Sequence, residues 1–265
     1  MTANSRSPLR PHAPRRYLVT GAGSGIGRAV AIKLAARGGR IGLVGRRRKP
    51  LEQTAESCAQ AGGRGIALPA DVADEEQIVP VIESFGREWG GLEGLVNNAG
   101  HASYGTIETT SIGEWQRLFA VHVTGAFLVS RAALAWLRRG QQPAIVNVAS
   151  NLGLVGLRGA AAYCAAKAAL INLTRAMALD HAAEGIRVNA ACPGAVRTDM
   201  LLADRGDGVD GEQRLQRLAR VHPLGRVAEP DEVADVIVRL LAPELSFVTG
   251  AVIAVDGGSS AGFPV

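Results

Sequence analysis

The chain has 265 residues, of which 47% are apolar and 4% aromatic, and a formal net charge of +5. This is ample for a core, and the length fits one large α/β domain as well as two small ones. No apolar run is read as approaching the roughly 20 residues of a membrane span. The basic residues form no large face of the kind nucleic acid requires, and three scattered cysteines (Cys58, Cys164, Cys192) suit neither a disulfide framework nor zinc.

Residues 1–14 are polar, basic and rich in Pro and Ser, with no hydrophobic signal core, and are read as a disordered tail on a cytoplasmic chain. Tyr17-Leu18-Val19-Thr20 then predicts a first strand, followed by a helix over 25–37. Ile41–Val44 predicts a second strand and 49–61 a helix. Gly65–Leu68 predicts a third strand, with helical periodicity led by Asp74 to about 89. Leu95-Val96 is a short fourth strand, and 112–139 a long amphipathic helix. Ala144–Val148 is a fifth strand, 160–184 an Ala-rich helix ended by Gly185, and Arg187–Ala190 a sixth strand. A helix over 230–242 and a strand over 251–255 complete the series.

Such alternation implies right-handed crossovers, hence an α/β fold with a seven-stranded parallel sheet and helices on both faces. With no repeat and no mid-chain linker, 15–265 reads as a single domain. Its least regular stretch, 195–228, contains Gly206-Asp207-Gly208-Val209-Asp210-Gly211 and reads as a substrate-binding loop.

The first strand runs into Thr20-Gly21-Ala22-Gly23-Ser24-Gly25-Ile26-Gly27 at the start of a helix. Small residues there let backbone approach a pyrophosphate, and a helix N-terminus offers free N–H groups and the positive end of a dipole. The second strand ends at Gly45-Arg46, where NAD-selective sites tend to place an acid for the ribose 2′-OH. An arginine would instead pair with a 2′-phosphate. NADP(H) is therefore preferred over NAD(H), which remains possible. Asp71-Val72 at the third strand end would reach the adenine, and Asn97-Asn98-Ala99-Gly100 closes the fourth strand.

Tyr163 and Lys167 stand four residues apart on a predicted helix, so they share one face. An ammonium beside a phenol is expected to bring its pKa down toward working pH. The phenol could then exchange a proton with an alcohol or carbonyl oxygen. Ser150, in Val148-Ala149-Ser150, lies thirteen residues upstream of Tyr163.

These motifs in this order resemble the short-chain dehydrogenase/reductase family over about residues 16–258: Thr20-Gly21-x-x-x-Gly25-Ile26-Gly27, Asn97-Asn98-Ala99-Gly100, Ser150 with Tyr163 and Lys167, Pro193-Gly194 with Thr198, and Val255-Asp256-Gly257-Gly258. The resemblance implies a Rossmann-type doubly wound fold and NAD(P)-dependent oxidoreduction. It implies Tyr163 as acid in reduction and base in oxidation, Lys167 on the nicotinamide ribose, and Ser150 on the substrate oxygen. Gly21, Ser24, Gly25, Ile26 and Gly27 would line the diphosphate, with Asn98 on the adjacent ribose and Ala99 and Gly100 beside it. Pro193, Gly194, Val196 and Thr198 would lie at the nicotinamide end. The family usually carries Asn in a run like Val-Asn-x-x-Gly, but this chain has Val121-His122-Val123-Thr124-Gly125. His122 would replace that Asn in a proton relay to Lys167 or be a buried neutral histidine with a structural bond.

The expected activity is NADPH-dependent reduction of a ketone to a secondary alcohol, similar to 3-oxoacyl-carrier-protein reductases and secondary-alcohol dehydrogenases. The alternatives are oxidation of a secondary alcohol, a non-catalytic dinucleotide-sensing regulator, and a sugar epimerase, which usually has a larger C-terminal substrate domain. Expected partners are a small carbonyl or alcohol substrate and further copies of this chain, as tetramer or dimer, with no nucleic acid, no membrane and no metal. Leu152, Leu154, Val155, Leu157, Leu201 and Leu202 predict an apolar substrate site.

Overall fold

The computed structural model describes residues 14–203 and 209–262. Nearly all of the expected N-terminal tail, and 204–208 within the expected substrate loop, lie outside the described residues.

Seven strands pair in parallel: β1 Arg16–Thr20, β2 Arg40–Gly45, β3 Arg64–Pro69, β4 Gly94–Asn97, β5 Ala144–Val148, β6 Arg187–Pro193 and β7 Val252–Val255. Their order is β3-β2-β1-β4-β5-β6-β7. The chain reverses its direction of winding between β1 and β4, and at that switch point loops diverge to open a crevice beyond the strand ends. The inner strands are buried on both faces, which explains their apolar runs.

On one face α1 Gly25–Ala35 and α2 Arg48–Gln60 pack with α9 Pro230–Leu240, placing Val30, Leu34, Leu51, Val233 and Ile237 in one core. The other face holds α3 Glu75–Trp89, α4 Ile112–Phe119, α5 Gly125–Leu137 and α6 Ala161–Asp180, with Ile78, Ile82, Phe85, Val129 and Leu137 buried against Leu95 and Ile145. Local signals fix α3 well. Asp74 Oδ1 accepts from the N–H groups of Glu76 and Gln77, two acids occupy the first turn, and Gly90 closes the helix at φ 76°.

Three features depart from the sequence expectations. The long helix over 112–139 is interrupted by a π-helical segment, Ala120–Thr124, centred on His122. Such bulges concentrate at functional sites. The continuous helical run Ile112–Leu137 also contains a window of mean hydropathy 1.6, long and apolar enough to cross a membrane, which corrects the expectation that no run approaches that length. Here its apolar side faces α3 and the sheet through Leu128, Val129, Ala133 and Leu137. Finally, the stretch read as irregular carries two helices, α7 Asp199–Leu202 and α8 Gly211–Ala219. Asp210 caps α8, accepting from Glu212 N–H at 3.1 Å.

Candidate active site

Six of the eight stretches that carry the expected residues lie around the ends of β1, β4, β5 and β6, while Arg46 and Asp71-Val72 follow β2 and β3. At the β1 side of the crevice the glycine loop is shaped by contacts a side chain would destroy. A Cβ at Gly27 would fall 2.4 Å from Gly21 O and 2.5 Å from Asn98 Nδ2. Gly21 itself sits at φ +64°, where only glycine is at ease. Ser24 caps α1 without a side-chain hydrogen bond, and no acid lies in the first turn. The first N–H groups of α1 therefore face the crevice uncapped, a cradle for a phosphate anion. The residues present fit a dinucleotide.

Asn98 braces this cradle. Its N–H donates to Thr20 Oγ1 at 2.9 Å, and its Nδ2 to Thr20 O at 3.0 Å and Gly21 O at 3.3 Å. The amide nitrogen expected near a ribose is thus turned toward β1, holding the glycine loop to β4. Ala99 N–H shares Thr20 Oγ1 at 3.0 Å. Behind it, Asn97 Nδ2 donates to Asn147 Oδ1 at 2.8 Å and Ser130 Oγ at 2.9 Å, and Asn147 donates to Thr174 at 2.9 Å. These buried amides tie β4, β5, α5 and α6 together.

Arg46, directly after β2, is exposed. A Cβ at Gly45 would meet only Leu51, at 3.4 Å, an ordinary contact. Packing therefore leaves room for an acid at this position, and the sequence has none. Asp71, beyond β3, has one carboxylate oxygen in a local turn with Ala73 N–H at 3.0 Å, while Val72 is buried against Gly125.

The β5 and α6 side holds the acid–base groups. Ser150 lies just beyond β5, is 7% exposed and caps the short helical turn Asn151–Gly153, accepting from Leu152 N–H at 3.1 Å. Its hydroxyl donates to Asn151 Oδ1 at 3.2 Å. Tyr163 and Lys167 share one face of α6, with Lys167 Nζ 5.7 Å from the Tyr163 ring centroid. Lys167 is 4% exposed and donates to Val148 O at 2.9 Å. Burial pulls its ammonium pKa down to about 8.

The expectation of a lowered phenol pKa is corrected. Burial raises the pKa of Tyr163, the phenol of Tyr104 adds to the rise, and the nearby Ser150 hydroxyl opposes it only in part. Tyr104, on the loop after Gly100, was not singled out from sequence, and nothing in its local spacing marks it. Its loop is bridged to the start of α6, with Gly105 N–H donating to Gly159 O at 2.7 Å and Ala161 N–H to Gly105 O at 3.3 Å.

His122 is 2% exposed. Its Nε2 lies 2.7 Å from His101 O and 3.3 Å from His101 N. The shorter contact places the proton on Nε2, donating to the carbonyl. Nδ1 has no hydrogen-bond partner among the described residues. Burial and the Lys167 charge hold its pKa well below the usual histidine range, so the ring is neutral. It stands edge-on to Tyr163, centroids 5.5 Å apart, and stacks on His101 at 5.6 Å.

Pro193 ends β6, and Gly194, Val196 and Thr198 follow. Val196 bridges Ala228, and Thr198 starts α7. Thr198 Cγ2 stands 3.0 Å from where a Cβ on Gly25 would be, so this loop closes onto the glycine cradle. The apolar substrate side is represented by Leu154, Val155, Leu157, Tyr104 and Met200, all substantially exposed, while Leu152, Leu201 and Leu202 are half-buried.

A family model described as enoyl-(acyl carrier protein) reductase matches residues 21–260. The chain belongs to the short-chain dehydrogenase/reductase family. Among curated members, 2-(S)-hydroxypropyl-CoM dehydrogenase 3 of Xanthobacter autotrophicus is 41% identical over 92% of this chain and 95% of that one. Inactive 2-(S)-hydroxypropyl-CoM dehydrogenase 2 of the same organism is 44% identical over 84% of this chain and 96% of that one. Among solved structures, levodione reductase superposes with TM-score 0.90 at 32% identity, covering 94% of this chain and 98% of that one. As a short-chain dehydrogenase/reductase, the protein is an oxidoreductase acting on secondary alcohols or ketones with a nicotinamide cofactor.

Proposed function

We propose that the enzyme reduces a ketone to a secondary alcohol with NADPH. The observation that carries this reading is the convergence of Ser150, Tyr163 and Lys167 on a crevice whose other wall is the glycine cradle. When bound, the cofactor supplies the hydride. Gly21, Ser24, Gly25, Ile26 and Gly27 would hold its diphosphate, and Lys167 its nicotinamide ribose. Asp71 and Val72 would stand at the adenine and Asn98, Ala99 and Gly100 beside the adjacent ribose, with Pro193, Gly194, Val196 and Thr198 at the nicotinamide. Ser150 and the Tyr163 hydroxyl orient the substrate oxygen, and Tyr163 donates the proton. Burial keeps the phenol protonated at neutral pH, the form in which it donates. His122 would hold the His101 loop in place beside Tyr163 rather than titrate. The intact Ser150, Tyr163 and Lys167 set speaks against a purely sensory role.

The NADPH preference rests on Arg46 together with the open space at Gly45. Titrating the protein with NADPH and NADH, followed by a ketone screen with the preferred cofactor, tests the reading. Arg46→Glu is expected to weaken NADPH by about 10- to 100-fold, the size of a lost charge-assisted hydrogen bond plus repulsion, and to leave NADH nearly unchanged. Equal wild-type affinities for the two cofactors would refute the preference.

We also propose a homo-oligomer, dimer or tetramer. Ile107 is 80% and Ile112 71% exposed, and with Trp115, Ala161 and Ala162 they line an apolar groove at the start of α4 and α6. Light scattering is expected to give the mass of two or four chains, and a monomer at micromolar concentration would sink this proposal. Its free cysteines suit a reducing cytoplasm.

A further inference from the structure

His222, in the segment after α8, has no place in the proposed chemistry, yet it is only 6% exposed. Its Nε2 accepts from Ala195 N–H at 3.1 Å. A backbone amide can only donate, so the ring proton of the neutral imidazole sits on Nδ1, which lies 2.7 Å from Leu218 O. One tautomer therefore satisfies both partners. The ring joins the last turn of α8 to the loop at the expected nicotinamide end. The fit is close, since a Cβ at Gly194 would fall 2.6 Å from His222 Nε2. A side chain at position 194 would therefore displace His222, and would crowd Asp256 at 3.0 Å as well.

The helical unit on the substrate side is held together independently. The buried guanidinium of Arg214 on α8 donates to Leu201 O at 3.3 Å, Ala203 O at 3.0 Å and Val209 O at 3.1 Å. These bonds make α7 and α8 one body. That body meets the 193–198 loop at Thr198, which also packs on Gly25, and again at His222. An exposed ion pair between Arg197 and Glu212 at 2.6 Å spans the same gap, but such pairs contribute little. The other ties of the loop run elsewhere: Gly194 N–H to Val255 O, and Ala195 O and Arg197 N–H to Ala228.

We propose that His222 is a positioning residue that couples α8, on the substrate side, to the backbone of the cofactor loop. By accepting from Ala195 N–H it fixes the 193–198 backbone, and by donating to Leu218 O it makes that placement depend on where α8 lies. Coupling of this kind is reciprocal, so dinucleotide binding should steady α8 in turn. The proposal rests on the dinucleotide reading above.

The test compares wild type with His222→Phe, His222→Gln and His222→Asn in NADPH fluorescence titrations, thermal melts and amide hydrogen exchange. Phe keeps a ring and removes both bonds. Gln places an acceptor near the position of Nε2, and Asn reaches only the Nδ1 side. Phe and Asn are expected to weaken NADPH binding about fivefold to tenfold, the effect of one lost hydrogen bond. Gln should stay within about twofold of wild type. Bound NADPH should slow exchange over 211–219 in wild type and Gln, and less so in Phe. Wild-type affinity in Phe, or equal losses in Gln and Asn, would overturn the proposal by leaving only a packing role. If Phe fails to fold, the Gln–Asn comparison decides alone. Should the wild type bind neither NADPH nor NADH, the dinucleotide reading falls and the inference with it.

Discussion

Tyr163→Phe is expected to lower the turnover of ketone reduction by about 10³-fold or more, while NADPH affinity stays within about twofold. Positioned proton transfer contributes about 10²- to 10⁴-fold, and the hydroxyl also orients the substrate oxygen. The variant removes one oxygen and keeps the ring, so the edge-on contact with His122 at 5.5 Å and the packing of α6 persist. Ser150 would keep Leu152 N–H at 3.1 Å and Asn151 Oδ1 at 3.2 Å, so the turn after β5 stays formed. Turnover should therefore collapse without a matching loss of cofactor affinity. Steady-state rates and a cofactor titration on the same preparation measure both quantities. Retained turnover would remove Tyr163 from the acid position, and a parallel loss of cofactor binding would make it a cofactor-holding residue instead. In wild type the acid form should persist through the neutral range, because burial raises the phenol pKa. The reductive rate should not fall with rising pH on account of this group until well into alkaline solution.

Much of this was legible in the chain. Strand positions followed from short apolar runs punctuated by glycine, and a sheet buried on both faces makes such runs easy to see. The site was legible wherever chemistry demands fixed spacing: glycines where backbone must approach backbone, and Tyr163 and Lys167 one helical turn apart. What stayed hidden depends on contacts between distant segments. No local pattern announces that Tyr104 stands by Tyr163, or that His222 reaches Ala195 twenty-seven residues away. The π-helical segment at His122 was invisible because its amphipathic period blends into that of α4 and α5. The phenol pKa was misjudged for a related reason. Spacing reveals that an ammonium is a neighbour, but the burial that raises the phenol pKa is a property of the packed crevice. The helices α7 and α8 were obscured by a glycine- and aspartate-rich run, although Asp210 is itself the cap of α8.

Lys167→Met is expected to abolish most activity and yet stabilise the fold at neutral pH. The ammonium of Lys167 is buried with Val148 O at 2.9 Å as its acceptor, and burial pulls its pKa from the ordinary 10.5 to about 8. Below pH 8 the group is charged in both folded and unfolded chains, so the folded state carries the full desolvation penalty. Between about pH 8 and 10.5 the unfolded chain binds more protons than the folded one, so stability rises with pH across that window. Above it the penalty is gone. At about 1.36 kcal/mol per pKa unit the penalty is on the order of 3 kcal/mol at pH 7. Methionine fills nearly the same space without the charge and forfeits one hydrogen bond of about 1 kcal/mol. The net gain, about 1–3 kcal/mol, should raise the melting temperature by a few degrees at pH 7 and give way above about pH 10 to a deficit of about 1 kcal/mol, the lost hydrogen bond. Melting curves of both proteins from pH 6 to 10.5 measure this directly. A variant less stable than wild type at pH 7, or a gap that ignores pH, would show that Lys167 is not strained by burial. A gap that closes with rising pH, together with lost turnover and weaker cofactor binding, would mean that this lysine is kept for the chemistry of the crevice against the preference of the fold.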